Sequence, residues 1–321
     1  MQTLDSAGVT FAYPPVPETL YHYCDAYGLV GIVEAASWAL KYAEPEKLYR
    51  RSLQLRASDV RYMNDAEELK FGAAIFRSKL KDAANDTSSS ADTRELMGEL
   101  YKYFEPERVF DWGMRAFASC FCSKGDLLSQ WRGYAGGTGG FALGIDPTAL
   151  DRHTQYFQPS VNFGGISETL LRPVIYGKRE GARFADAVLA DVRATAEHGG
   201  YVHDAGTGKV IPFYPAVVIF NAVTTMKHKA FKEEREWRLF AKIETQFPFA
   251  VDARRRGLVP YAEMAVNMNL PDLPAVEKPI LDLVVGPCRD QAAQVAAAQE
   301  LLQRKGHDPR VVRASNAPFT G

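Results

Sequence analysis

Cysteine is scarce: Cys24, Cys120, Cys122 and Cys288 are the only four in 321 residues. So few thiols cannot staple a fold of this length, and they suit a reducing cytoplasm. An excess of either charge is also missing, with 38 Lys and Arg set against 39 Asp and Glu. That balance gives no general attraction to nucleic acid or anionic lipid. The one dense basic run, Arg254-Arg255-Arg256, adjoins Gly257 and reads as a solvated turn. No window approaches the roughly 18 uncharged apolar residues of a membrane span. Val217–Val223 is apolar but too short, and Lys227, His228 and Lys229 follow it. Met1–Glu18 has no basic start leading into an apolar stretch, so no secretory signal is expected. Missing too are a G-x-G-x-x-G between strand and helix, a Walker loop, and the G-x-S-x-G elbow of α/β-hydrolases.

What is present is ample apolar material, 46% of the chain, enough to bury a core without staples. Residues 1–18 carry Pro14, Pro15 and Pro17 and no period, which predicts an extended arm ahead of one domain over 19–321. Leu20–Cys24 reads as a strand, and Asp25 as the cap of a helix with Leu29, Ile32, Val33, Ala36 and Leu40 on its buried face. A second helix, capped by Asn64 or Asp65, places Leu69, Ala73, Phe76 and Leu80 inward. The polar run Asn85–Thr93 predicts a mobile loop, and Gly199–Gly208 another. A helix over Arg94–Phe104 follows the first of these loops. Period-two alternation marks strands at Arg115–Cys122 and Gly140–Asp146, around a short helix at Asp126–Tyr134.

Further on, Arg172–Tyr176 predicts a strand, Phe184–His198 a helix, and Pro215 the start of a helix running to about His228. Strands are expected at Arg235–Ile243, Leu258–Val266, Ile280–Val285 and Arg310–Arg313, with a helix at Gln291–Arg304. Early helices, late strands and irregular connections indicate an α+β fold with mixed or antiparallel sheets.

Three segments carry candidate chemistry. In Glu234–Arg238, strand alternation sends Trp237 and Leu239 one way and Glu234, Glu236 and Arg238 the other. Such a charged row either protects an edge strand or lines a cleft. In Phe117–Phe121, Ser119 lies between two aromatic rings, to bond backbone or to meet a ligand. The adjoining Gln130, Trp131, Arg132 and Tyr134 are the residue types that grip phosphate and stack on rings, or else form core and salt bridges. His22, between Tyr21 and Tyr23, is the third feature. Cys120-x-Cys122 lacks paired C-x-x-C spacing, so no metal is expected.

Taken in order, several segments resemble a bacterial family of undefined function, DUF2971. They are Leu20–Tyr23, Arg61–Glu68, Gly125–Tyr134, Gly140–Asp146, Lys227–Arg238 and Val284–Pro287. Ala66 stands where that family commonly has proline, and the tail lacks its usual aromatic-arginine pair. A looser resemblance is to ADP-ribosyltransferase folds, which order a first-strand His, a middle-strand Ser or Tyr and a late E-x-E. That resemblance implies a split sheet core and NAD as the substrate. It implies His22 on a ribose or phosphate, Ser119 with Tyr134 framing nicotinamide, and Glu236 on the nicotinamide ribose. Tyr23, Arg61, Asn64, Asp65, Gln130, Trp131, Arg132 and Arg238 would complete the dinucleotide site with catalytic Glu234. The activity implied is mono-ADP-ribosyl transfer to a protein or nucleic-acid acceptor, or NAD hydrolysis, in a toxin or antiviral effector. Two other readings stand open. One is a nucleotide-sensing module using the same cleft; the other is a metal-dependent nuclease built on Asp65, Glu68, Glu234 and Glu236.

Overall fold

A computed structural model of the chain describes residues 3–6, 9–34, 51–63, 67–108, 115–134, 139–152, 155–156, 169–197, 202–203, 210–211, 213–241, 250–254, 257–267 and 274–318. The strands up to residue 176 are β1 (Thr3–Ser6), β2 (Val9–Ala12), β3 (Leu20–Cys24), β4 (Leu53–Asp59), β5 (Phe117–Cys122), β6 (Phe141–Ile145), β7 (Gln155–Tyr156), β8 (Thr169–Pro173) and β9 (Ile175–Tyr176). Beyond it lie β10 (Val202–His203), β11 (Val210–Ile211), β12 (Met226–Lys227), β13 (Glu236–Ala241), β14 (Ala250–Arg254), β15 (Gly257–Val266), β16 (Ile280–Val285) and β17 (Val312–Ala314). The helices are α1 (Ala26–Val33), α2 (Glu67–Ala84), α3 (Ala91–Tyr103), α4 (Leu128–Tyr134), α5 (Pro147–Arg152), α6 (Lys178–Glu197), α7 (Phe213–Val223) and α8 (Gln291–Arg304).

Local chemistry sets the boundaries. Asp25 accepts the Gly28 N–H at 2.7 Å and opens α1 as its N-cap. Ser90 does the same for α3 through the Thr93 N–H at 3.1 Å. The polar run after α2 is therefore shorter than its composition suggests, and Asp86 ties it down by accepting from the Ser88 N–H and hydroxyl. α7 stops at Val223, short of the expected His228. Thr224 and Thr225 turn their hydroxyls back to the carbonyls of Asn221 and Ala222, and the chain re-enters a strand at Met226. Ala36, Leu40, Asn64 and Asp65 lie outside the described residues. Within the segment read as an N-terminal arm, β1 and β2 form an antiparallel ribbon. Phe11 and Tyr13 then pack on Phe184 of α6, ring centroids 5.0 and 5.9 Å away.

The architecture is α+β, with a mixed, largely antiparallel open sheet, eleven strands among the described residues, flanked by helices. Its centre is β5. One side of β5 is paired along its whole length by β13, from Glu236 opposite Cys122 to Ala241 opposite Phe117, and β8 lies beyond β13. Two strands share the other side: β4 pairs at Phe117 and Ala118, and β3 at Cys122. There the sheet forks into a β4-β15-β14 branch and a β3-β6-β16-β17 branch.

The two faces of β5 and β13 meet different surroundings. Phe117, Phe121, Trp237 and Leu239 join Leu20 and Cys24 in a core covered by α1 and α8 through Leu29, Ile32, Ala298 and Leu302. On the opposite face Ala118 and Phe240 belong to a helical core with Phe76, Leu100, Phe184 and Phe220. Farther along that face, Cys122 and Tyr23 pack on Trp131 of α4. Between these two apolar patches the register places Cys120 opposite Arg238. Among the described residues no helix is long and apolar enough to cross a membrane.

Replacing Ser90 by Ala removes the α3 cap and should lower stability by about 1 kcal/mol, with Ser90→Asp retaining it. Urea unfolding monitored by circular dichroism measures the difference, and equal midpoints for wild type and Ser90→Ala would deny the cap its role.

Candidate functional site

A guanidinium removed from water needs anions around it. Arg238, only 2% exposed, has two. Its Nε donates to Glu236 Oε1 at 2.7 Å, and its Nη2 donates to Glu68 Oε2 at 2.6 Å. Its Nη1 donates to the Thr224 carbonyl at 2.6 Å, the group that the end of α7 leaves available. Lys227, from β12, stands at the centre of three carboxylates. Its Nζ lies 2.8 Å from Glu68, 2.6 Å from Glu234 and 3.0 Å from Glu236. The Cys120 thiol also donates to Glu236, and the Glu236 backbone N–H donates to the Tyr176 hydroxyl at 2.8 Å. Five charged side chains from α2, β12, β13 and the 3-10 turn Lys229–Glu234 thus form one network, three anions against two cations.

Glu234 does not share the strand with Glu236, as alternation alone suggested. Arg235 adopts a left-handed conformation, φ 47°, which ends the 3-10 turn and starts β13 only at Glu236. Glu234 rejoins its neighbour through Lys227. The members differ in exposure: Glu68, Lys227, Glu236 and Arg238 are all buried, whereas the Glu234 side chain keeps 28% of its surface and Tyr134 keeps 40%. Glu234 is where this network reaches solvent; Tyr134 exposes part of its side chain, but its hydroxyl is withdrawn from water.

Proton affinities separate along the same line. Burial alone would raise the Glu236 carboxyl, but Arg238 and Lys227 overcome it and hold it at about 2. Burial raises Glu234 above the ordinary carboxylate range, with Lys227 only partly opposing it. Lys227 itself is held above the ordinary lysine range, because Glu236 and Glu68 outweigh the cost of burial. Burial and the adjoining anions push up both the Tyr134 hydroxyl and the Cys120 thiol. Cys120 is therefore a hydrogen-bond donor here, not a thiolate nucleophile.

The proposed convergence of His22, Ser119 and Glu236 does not occur. Register puts Glu236, Arg238, Cys120 and Tyr23 on one face of the sheet, and Ser119 with Phe117, Phe121 and Leu239 on the other. Ser119 is 2% exposed, and its hydroxyl has no hydrogen-bond partner among the described residues. His22 sits at the fork of the sheet, its Nδ1 2.9 Å from the Cys120 carbonyl and its ring against Phe121. It fills the gap between the β3 and β4 pairings.

Other candidates are likewise spoken for. Arg61 is buried on Asp59, with Nε–Oδ1 at 3.0 Å and Nη2–Oδ2 at 2.6 Å, so it is no free phosphate clamp. Trp131 is 4% exposed, donates Nε1–H to Asp126 at 2.7 Å and meets Tyr23 edge-on. The Tyr23 hydroxyl donates to the Lys124 carbonyl and accepts the Leu127 N–H, which sets the approach to α4. Arg132 is exposed and Gln130 half-buried on the same helix. Sequence reasoning missed Lys227, Cys120 and Tyr176. Lys227 precedes Glu234 and Glu236 by seven and nine residues, a spacing that no regular element reads out. Three of the carboxylates weighed for a metal do converge, yet the position between them is taken by the Lys227 ammonium.

Residues 130–239 match the model of a family described as a protein of unknown function (DUF2971). The stretch takes in most of α4, the first four residues of β13 and every charged member of the Lys227 network except Glu68, so the DUF2971 resemblance holds there. The segments Leu20–Tyr23, Arg61–Glu68 and Val284–Pro287 lie outside it. No curated protein and no solved structure matches the chain.

Arg238→Met leaves Glu236 and Glu68 without their shared cation and should cost roughly 3–5 kcal/mol in denaturant unfolding. Because the Glu236 carboxyl is held below its ordinary value of 4.5, its stabilising effect is complete above that pH and is lost as pH falls toward about 2. Unfolding midpoints measured between pH 5 and 2 should fall more gently in Glu236→Gln than in wild type. Equal slopes would place the acid sensitivity elsewhere.

Proposed function

We propose that this protein cleaves the N-glycosidic bond of NAD, passing ADP-ribose to a protein or nucleic-acid acceptor or to water. One observation carries the reading. Glu234, the partly exposed carboxylate of the network, and the buried Glu236 both bond Lys227, and their proton affinities are driven in opposite directions. Carboxylate pairs divided in this way are what bond cleavage at an anomeric carbon uses. The departing base leaves an oxocarbenium-like cation, and a fixed anion stabilises that charge more than it stabilises the ground state.

In this reading Glu234, half-buried beside Tyr134, carries the proton to or from the reacting groups. Glu236 behind it supplies fixed negative charge and moves no proton, since its carboxyl is ionised down to about pH 2. Tyr134 borders the substrate, and exposed Arg132 on the same helix meets the pyrophosphate. His22 and Ser119, on the far face, have no catalytic part. Consumption of a cell's NAD is toxic to it, so the activity fits an effector of a toxin or antiviral system.

A second reading, a module that binds a nucleotide intact, is favoured by a separate observation. Both carboxylate oxygens of Glu236 are already engaged by Arg238 and Lys227, so a ribose hydroxyl meets competition there.

Incubation of the purified protein with NAD, followed by chromatography of the products, separates the two. Nicotinamide should be released, Glu234→Gln should slow release by about 10²–10⁴-fold, and His22→Ala should leave the rate per folded molecule unchanged. NAD bound and recovered whole would establish the binding module. Release unaffected by Glu234→Gln would remove the carboxylate mechanism.

A further inference from the structure

On the β16 side of the sheet, away from the Lys227 network, the residue preceding β4 and the turn after α8 border a cavity of about 270 Å³. Arg51, Glu277, Lys278, Ile280, Gly306 and His307 line it. His307 is 8% exposed. Its backbone N–H is fixed on the Leu302 carbonyl at 2.9 Å, and among the described residues none hydrogen-bonds its imidazole. The imidazole nitrogens are not sealed from solvent, so they are open to bond what enters the cavity. Lining a cavity, the ring marks a place where a ligand would supply that bond.

The cation beside it is held in place at a cost. Arg51 has φ 63°, the left-handed region that non-glycine residues rarely occupy. Asn267, also left-handed at φ 63° and fully buried, donates to the Arg51 carbonyl at 3.3 Å and bonds Val276 through both ends of its amide. Arg51 Nη1 in turn donates to the Glu277 carbonyl at 2.6 Å. Such backbone strain persists where the surroundings over-determine it, and it concentrates at ligand clamps. Lys278, exposed like its neighbour Glu277, adds a second positive charge to the lining. Asp308 is already neutralised by Arg310, at 2.9 Å from Nε and 2.8 Å from Nη2.

We propose that this cavity binds a phosphate group, free or carried on a small molecule, between Arg51, Lys278 and the imidazole of His307. The planar guanidinium suits an oxyanion with several acceptor oxygens, and the lysine adds a point charge. Burial and then the Arg51 charge lower the His307 imidazole to about 4, so at neutral pH the ring is uncharged. A neutral imidazole offers one N–H donor and one lone pair. A phosphate that retains a proton offers the matching acceptor and donor, whereas a carboxylate offers acceptors alone. A bound anion also offsets the Arg51 charge and raises the proton affinity of His307. The charged groups that line the cavity with the ring are Arg51, Lys278, Glu277 and Asp308. The site stands apart from the proposed NAD chemistry and does not rely on it.

The test is a histidine-resolved NMR titration of the full chain with inorganic phosphate, and with acetate in parallel. The His307 signal is identified by its loss in His307→Gln. Phosphate should move that signal and raise its titration midpoint above about 4. Lys278→Gln, an exposed substitution compatible with folding, should weaken binding at least roughly tenfold, and Arg51→Gln likewise. A His307 signal that phosphate does not move, or that acetate moves equally, would overturn the assignment. So would Lys278→Gln protein that binds as wild type does.

Discussion

Burial of the Arg238 guanidinium is the constraint on which the rest of this architecture turns. A cation on the inner face of a sheet, between two apolar patches, is tolerated only if anions reach it from other elements. Glu68 comes from the first turn of α2 and Glu236 from two residues back on β13. Three carboxylates so close would repel, and Lys227 between them relieves that repulsion. The end of α7 is shaped by the same demand, for it delivers the Thr224 carbonyl to Arg238 and Lys227 to the carboxylates. One desolvated charge thereby sets how α2, α7, β12 and β13 sit against one another. An apolar core of equal volume would give comparable stability with less specificity of placement, since apolar contacts have no direction.

The second organising feature is the fork at β5. Antiparallel pairing along one edge is normally continuous, and here it is divided between β4 and β3. The division leaves the middle of that edge short of a partner, and His22 supplies one at the Cys120 carbonyl. On the residue's other side, the Cys120 thiol serves Glu236. Cys120 therefore couples the fork to the charge network, its backbone held by a histidine and its side chain by a carboxylate. His22 and Glu236 are linked through this strand, not through a shared ligand space.

Much of this organisation is legible in the residues themselves. The alternation in Phe117–Cys122 and Glu236–Ala241, the cap at Asp25 and the inward face of α2 follow from short-range chemistry, and the structure has them. What alternation cannot reveal is which face of one strand aligns with which face of another. His22, Ser119 and Glu236 each lie on a strand, yet their common face depends on the register of β3, β5 and β13, which is decided by non-local pairing. Glu234 misled for a different reason. A single left-handed residue, Arg235, interrupts the period, and nothing in an arginine announces that conformation. The role of Lys227 was hidden because its partners come from three elements, which no local spacing brings together.

Scaffolding and chemistry are often set against each other for a buried ion cluster, but the division of proton affinities separates the two tasks by residue. A carboxyl ionised down to about pH 2 is too weak a base to exchange protons near neutrality, and burial denies it a substrate proton in any case. It is well suited to act as a charge that needs no reorganisation when a cation develops nearby. Glu234 has the complementary properties: a raised proton affinity, partial access to solvent, and a single lysine bond that can be traded. The rigidity that makes Glu236 part of the scaffold is the same property that would make it useful as an electrostatic stabiliser. Its saturation by Arg238 and Lys227 leaves Glu234 as the carboxylate of this network with capacity to engage anything from solvent.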